Sequence, residues 1–224
     1  MTAGALAAHL LDDDAGTAQV APRAALRVVG PSSGADLAAA EQAATAFLVA
    51  LGVDLDTESL AATPARMARA YAEMFSPRAF DLTTFPNDAG YDELIIARSI
   101  PVQSVCEHHL LPFVGVAHVG YLPGARILGL SKLARVVELF ARRPQVQERL
   151  TQQVADWLQD HLAPRGVGVV ITAEHLCMTV RGVRASGADT VTSALHGQLR
   201  KEAASRAEFF TLITAHEQPE VHHA

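Results

Sequence analysis

Leu37, Ala40, Ala44, Phe47, Leu48 and Leu51 recur at helical spacing on one face, and Gly52 follows as a C-terminal stop, so the pattern predicts a helix from Leu37 to Leu51. Thr63-Pro64 opens a second predicted helix through Phe75, with threonine as N-cap and proline at the first helical position. After a loop rich in Pro, Asn, Asp and Gly the chain turns β. Glu93 to Val102 and Val114 to Leu122 carry branched and apolar residues bounded by Pro and Gly. A helix is expected from Ser131 to Arg142, and Pro144 leads into another through Leu162, stopped by Pro164-Arg165-Gly166. Gly168 to Arg181 reads as a long strand, Thr190 to Leu195 as a short one, and Ser205 to Ile213 as a closing helix. Two strands, two helices and two strands predict an α+β unit with helices on one face of an antiparallel sheet.

Up to about Gly34 the chain mixes Ala, Asp, Gly, Pro and Ser with no sustained period beyond a short patch at Ala24–Val29, which reads as a mobile extension. Division into domains follows: an extension over 1–34, a folded unit over 35–214 with a helical part at 35–76 and a sheet-bearing part at 93–214, and a polar tail over 215–224. Histidines 216, 222 and 223 trail in that tail and read as solvated.

Half of the 224 residues are hydrophobic, enough for a sizeable core without disulfides. No apolar run approaches a membrane span, and the first residues lack a charged segment followed by an apolar one, so the expectation is a cytoplasmic protein with no membrane contact. The formal charge of −6 argues against non-specific binding of nucleic acid, which needs clustered basic residues. Any phosphate is then gripped locally, by a few placed arginines and lysines.

Both cysteines sit beside histidine, in Cys106-Glu107-His108-His109 and in His175-Leu176-Cys177. Two thiols cannot build a disulfide framework, and thiolate with imidazole is the donor set of zinc. Spacing leaves two arrangements open. Three protein ligands leave a position at which bound water becomes hydroxide near neutral pH, whereas a structural site needs a fourth ligand, which His108 or His175 could supply. In the predicted strand His175, Cys177, Thr179 and Arg181 share one face, with Leu176, Met178 and Val180 on the apolar one.

Ser131-Lys132-Leu133-Ala134-Arg135 begins a helix, whose free N–H groups and dipole attract anions, and Lys132 and Arg135 flank the same end. With Arg66 in the first turn of the second helix and Arg181, these cations in an acidic protein read as a phosphate grip.

Four runs carry a family resemblance: Val105-Cys106-Glu107-His108-His109-Leu110-Leu111-Pro112-Phe113, Gly129-Leu130-Ser131-Lys132-Leu133-Ala134-Arg135, Ala141-Arg142-Arg143-Pro144-Gln145-Val146-Gln147-Glu148-Arg149-Leu150-Thr151, and Glu174-His175-Leu176-Cys177-Met178. Together they resemble GTP cyclohydrolase I, over about Asp36 to Ile213. The resemblance implies a zinc enzyme of the tunnelling fold, assembled as a toroidal homodecamer, that converts GTP and water to formate and 7,8-dihydroneopterin triphosphate on the way to tetrahydrofolate and other pterins. It implies Cys106, His109 and Cys177 as zinc ligands, with His175 placed to protonate N7 of guanine while water attacks C8. His108 and Ser131 resemble the family residues near the ribose. Glu148 matches the guanine-reading carboxylate with Gln147 beside it, and Lys132, Arg135, Arg181 and Arg66 match the triphosphate contacts, some of them from neighbouring subunits.

Two positions depart from the pattern, His196 and Val116, and neither matches a catalytic role. Three other functions compete. A base deaminase would need His-x-Glu and Pro-Cys-x-x-Cys, which are missing. A zinc-stapled assembly module would have no use for Glu148 or the Ser131 helix. A paralogue for another purine or pterin would not need to retain Glu148 and the cations.

Overall fold

The computed structural model describes residues 26–28 and 34–215. In chain order the elements are β1 (Leu26–Val28), α1 (Leu37–Ala50), α2 (Thr63–Met74), β2 (Phe80–Leu82), β3 (Thr84–Pro86), β4 (Ile95–Cys106), β5 (Pro112–Leu122), β6 (Arg126–Leu128), α3 (Leu130–Ala141), β7 (Pro144–Gln145), α4 (Gln147–Leu162), β8 (Gly166–His175), α5 (Leu176–Thr179), β9 (Thr190–His196), α6 (Gly197–Lys201) and α7 (Ala203–Thr214). A five-stranded sheet runs β7-β4-β5-β8-β9, and the pairs β1-β2 and β3-β6 stand apart from it. Its ladders are antiparallel except for β7 on β4. The α+β expectation is met. No helix among the described residues is long and apolar enough to cross a membrane.

Helices α3 and α4 cover one face. Leu133, Val136, Val137, Leu150, Val154 and Leu158 lie fully buried against Val102, Phe113, Val119, Val167 and Ile171 of the strands. Each such side chain contributes about 1.5–3 kcal/mol of transfer free energy, which makes this layer the stable platform of the molecule.

The expectation of helices on one face alone is corrected by a second cluster. Leu122, Val170, Leu199, Phe209 and Ile213 bring α6 and α7 onto the opposite side of β5 and β8. What admits Phe209 is a cross-strand pair of glycines, Gly120 and Gly168. A Cβ on either would stand within 2.9–3.0 Å of its ring, so the bare backbone is the slot. Absence of side chains at two strand positions is a weak sequence signal, easily read as loss of strand.

At its start α1 is capped by Asp36, whose carboxylate accepts from the Ala39 N–H at 2.9 Å. In α2 the cap expected of Thr63 is not made. Ala62 occupies that position without a side-chain bond, and the Thr63 hydroxyl instead accepts from Arg66 at 2.9 Å. Likewise α3 begins at Leu130 with Gly129 before it, so Ser131 stands exposed in the first turn rather than capping.

The β4–β5 hairpin is longer than its hydrophobic pattern suggested. Its ladder reaches Val105 opposite Pro112, which makes Cys106 the last residue of β4 and puts His108 and His109 in the turn. Strand β8 is shorter: it ends at His175, not Arg181, and one turn of helix carries Cys177. The reason is pairing. Partners run out at Phe113 opposite His175 and at Thr190 opposite Ala173. Beyond them the backbone has no neighbour, so it bonds to itself, Val180 N–H to Leu176 C=O at 3.1 Å. The shared face of His175, Cys177, Thr179 and Arg181 is therefore lost.

Of the segment read as an N-terminal extension, Leu26–Val28 pairs with β2, with Val28 in the core; the rest of it before Gly34, and the tail beyond Ala215, lie outside the described residues. Among the departures, His196 pairs with Asp156 at 2.7 Å and so ties β9 to α4, while Val116 sits half-buried in β5 between Pro101 and Thr172.

Candidate active site

Four pieces of chain meet at one end of the sheet: the last residue of β4 with the turn after it, the end of β8 with α5, the short β7, and the first turn of α4. They enclose a cavity of about 300 Å³ lined by Cys106, His108, His109, Gln147, Glu148, His175, Cys177 and their neighbours.

Cys106, His109 and Cys177 present ligand atoms that all lie within 4.8 Å of one another. The Cys106 sulfur stands 3.9 Å from His109 Nδ1. Zinc bonds of about 2.3 Å to sulfur and 2.0–2.1 Å to nitrogen place tetrahedral ligand atoms roughly 3.6–3.8 Å apart, so a small inward movement accommodates the ion. Two soft thiolates with one imidazole suit zinc. Neither candidate fourth ligand belongs to the group. His108 approaches the Cys106 sulfur at 3.7 Å but does not group with both sulfurs, and His175 is held by Gln147. Burial, then the hydrogen bond and charge of Cys106, push the Cys177 thiol above its ordinary range, with Arg181 pulling the other way. Two thiols crowded together are what a dication relieves.

The turn that carries both histidines is fastened on two sides. Leu110, at φ 52°, donates its N–H to Cys106 C=O at 2.8 Å, and Glu107 N–H reaches Gln145 C=O at 3.0 Å. The Glu107 carboxylate accepts from Arg149, whose Nε in turn donates to the Gln145 side chain at 3.0 Å.

His175 Nε2 lies 2.8 Å from Gln147 Oε1, and its ring stacks on buried Phe113 with centroids 4.6 Å apart and planes 9° from parallel. Burial pushes its pKa below the ordinary imidazole value, while the carboxylate of Glu148 acts in the opposite sense. Glu148 is exposed toward the cavity in the first turn of α4, where the helix dipole favours a negative charge.

Gln147, expected beside the base, is instead 1 % exposed with its amide spent inside the chain. Neither that role nor the Phe113 stack was anticipated from sequence. A signal existed for the first: Gln147 and Thr151 share a helical stripe with Leu150, Val154 and Leu158, and polar residues on a core face need internal partners.

Ser131, Lys132, Arg135 and Arg66 do not line this cavity. Arg135 pairs with Glu138 at 3.0 Å, and Glu138 also takes Arg78 in a two-pronged bond at 2.7 Å. Arg66 donates to Ser59 C=O and to Thr63. Arg181 is exposed just past α5, near enough for its charge to act on Cys177.

The sequence matches the family described as GTP cyclohydrolase I over residues 40–214. It is 56% identical over 183 residues to GTP cyclohydrolase 1 of Mycobacteroides abscessus, covering 80% of this chain and 90% of that one. Against the enzymes of the same name from Thermobifida fusca and Corynebacterium glutamicum it is 54% identical, over 186 and 185 residues, covering 81% and 79% of this chain and 90% and 94% of theirs.

Proposed function

The chain belongs to the GTP cyclohydrolase I family, and on that premise we propose that it is a zinc-dependent enzyme that hydrolyses and rearranges GTP to 7,8-dihydroneopterin triphosphate and formate, the first step toward tetrahydrofolate and other pterins. The observation that carries this reading is the convergence of the Cys106, His109 and Cys177 donors with His175 and Glu148 around one cavity.

Those three donors would hold zinc, which when bound supplies Lewis acidity and water activated near neutral pH. His175 gives a proton to N7 of guanine, which makes C8 a better target for water; a second hydrolysis releases formate. His108, exposed on the turn, serves proton transfer as the ribose opens and rearranges, with Ser131 of a neighbouring chain beside it. Glu148 reads the base, because N1–H and the exocyclic amine of guanine stand side by side and one carboxylate accepts from both.

The triphosphate grip is assigned to Lys132, Arg135, Arg66 and Arg181, and none of the four lines its own chain's cavity. That separation supports a site completed between chains, in a tunnelling-fold ring of ten. Two further features support it. Strand β9 is an edge of its sheet, and Val180, Val183 and Val191 stand exposed along the stretch from α5 to β9. Residues 35–214, joined by the strand Leu26–Val28, then form the catalytic unit, with the rest of 1–34 and 215–224 as extensions, acting in the cytoplasm. Light scattering is expected to give a mass near ten chains; an active monomer would contradict the shared site.

Base reading supplies the test of the reaction. ITP lacks the exocyclic amine and forfeits one charge-assisted bond of about 1.5–3 kcal/mol, so its kcat/KM should fall roughly tenfold or more below that of GTP. Glu148→Gln is expected to weaken GTP, leave zinc in place and narrow the gap between the two nucleotides. Formate release is measured for both on both proteins. An unchanged GTP/ITP ratio removes Glu148 from base reading, and wild-type protein that releases no formate from GTP removes the reaction.

A further inference from the structure

Gln147 is the best-anchored side chain near the cavity. Its Nε2 faces three acceptors, Ile171 C=O at 2.9 Å, Thr190 C=O at 2.8 Å and the Thr192 hydroxyl at 3.1 Å. Thr151 closes the set, its hydroxyl donating to the main-chain carbonyl of Gln147 and sharing a hydrogen bond with the Thr192 hydroxyl. Two of the acceptors are backbone carbonyls, which can only accept. Turning the amide over would set its oxygen against them with no proton between. The orientation is therefore fixed by chemistry, and Oε1 must face His175.

An amide oxygen can only accept as well. His175 Nε2, 2.8 Å away, must then carry hydrogen, and the neutral ring is left with its lone pair on Nδ1. The opposite tautomer would bring two lone pairs together beside a fully buried residue. Phe113, stacked on the ring, holds its plane. No hydrogen-bond partner among the described residues reaches Nδ1.

We propose that Gln147 is a positioning residue that locks His175 in the Nε2–H tautomer, so that Nδ1 is the nitrogen that exchanges a proton with the nucleotide. This rests on the reading of His175 as the proton donor to the base. In the step, the Nδ1–H bond breaks as an N–H bond forms at N7 of guanine, and the ring returns to its neutral Nε2–H form with Gln147 still accepting. A glutamine with both ends committed does for this histidine what a carboxylate or carbonyl does elsewhere, without adding charge.

The zinc-loaded protein labelled with ¹⁵N-histidine tests this by magic-angle-spinning NMR, the His175 signals being those that His175→Ala removes. Wild type is expected to show a protonated Nε2 and a bare Nδ1 in the neutral ring. Gln147→Met removes the acceptor at similar volume; the expected result is a mixed tautomer and a kcat lowered roughly 10- to 100-fold, with KM for GTP and zinc content little changed. Gln147→Glu fits only as the neutral acid, its O–H donating to one of the facing carbonyls and its other oxygen accepting from His175, and in that form is expected to keep the Nε2–H tautomer and more of kcat than methionine does. A dominant Nδ1–H tautomer in wild type overturns the proposal, as does an unchanged tautomer or kcat in Gln147→Met. Should that variant fail to fold, the wild-type spectrum and Gln147→Glu still decide it. Absence of GTP turnover in wild type would sink the reading of the reaction alone, since the spectrum reports the tautomer without catalysis.

Discussion

Cys106→Ser and Cys177→Ser are each expected to purify with little zinc and with almost no GTP turnover. A serine hydroxyl stays protonated at neutral pH and is a hard oxygen donor, so it replaces neither the charge nor the softness of a thiolate. Only three donors close the group, and no other histidine, cysteine or carboxylate among the described residues joins it. Loss of one leaves two, too few to hold a catalytic zinc. Cys106 ends β4 and is 5 % exposed; Cys177 rides a single helical turn and is half-buried. No third thiol is available among the described residues to replace either. Elemental analysis on the folded variants checks this, and full zinc in either would remove that cysteine from the ligand set.

His175→Ala should behave in the opposite way toward the metal: zinc is retained while turnover falls by roughly 10²–10⁴, the usual worth of a placed general acid or base. Nε2 of this ring is occupied by Gln147, and the ring lies outside the three-donor group. Removing it should also leave Phe113 without its stacking partner and Gln147 Oε1 without a donor, so some loss of thermal stability accompanies the loss of rate. Zinc content, circular dichroism and formate release on the same preparation separate these effects. A metal-free His175→Ala protein would make His175 a ligand and revive the four-ligand, structural reading of the site.

The two histidines beside the cysteines show how far local sequence reaches. Cys106-Glu107-His108-His109 offers two imidazoles at nearly equal spacing, and spacing cannot choose between them. The tertiary structure chooses, because Cys177 arrives from α5 on the side of His109, whose donor atom groups with both sulfurs while that of His108 does not. Glu148 and Gln147 make the same point on a helix. They are neighbours in sequence, but a 100° step around α4 leaves the Glu148 carboxylate exposed and turns the Gln147 amide inward to Ile171 and Thr190.

By itself the sequence determined the α+β class, the helices at Leu37, Thr63 and Ser131 to within a residue or two, and the donor types of the site, because these depend on local periodicity and on the chemistry of single side chains. The four motif runs also carried the family. Only the tertiary structure decided where β8 stops, since a strand ends where its neighbours do and that is a property of β5 and β9 rather than of Cys177 or Arg181. It decided that a second layer lies over the Gly120–Gly168 pair, because a slot for Phe209 exists only once two strands align. It also decided that Gln147 meets His175, a contact across 28 positions, and that Lys132, Arg135 and Arg66 do not line the cavity of their own chain. Pairing, packing and long-range hydrogen bonds depend on what arrives from elsewhere in the chain, and no local pattern encodes that arrival.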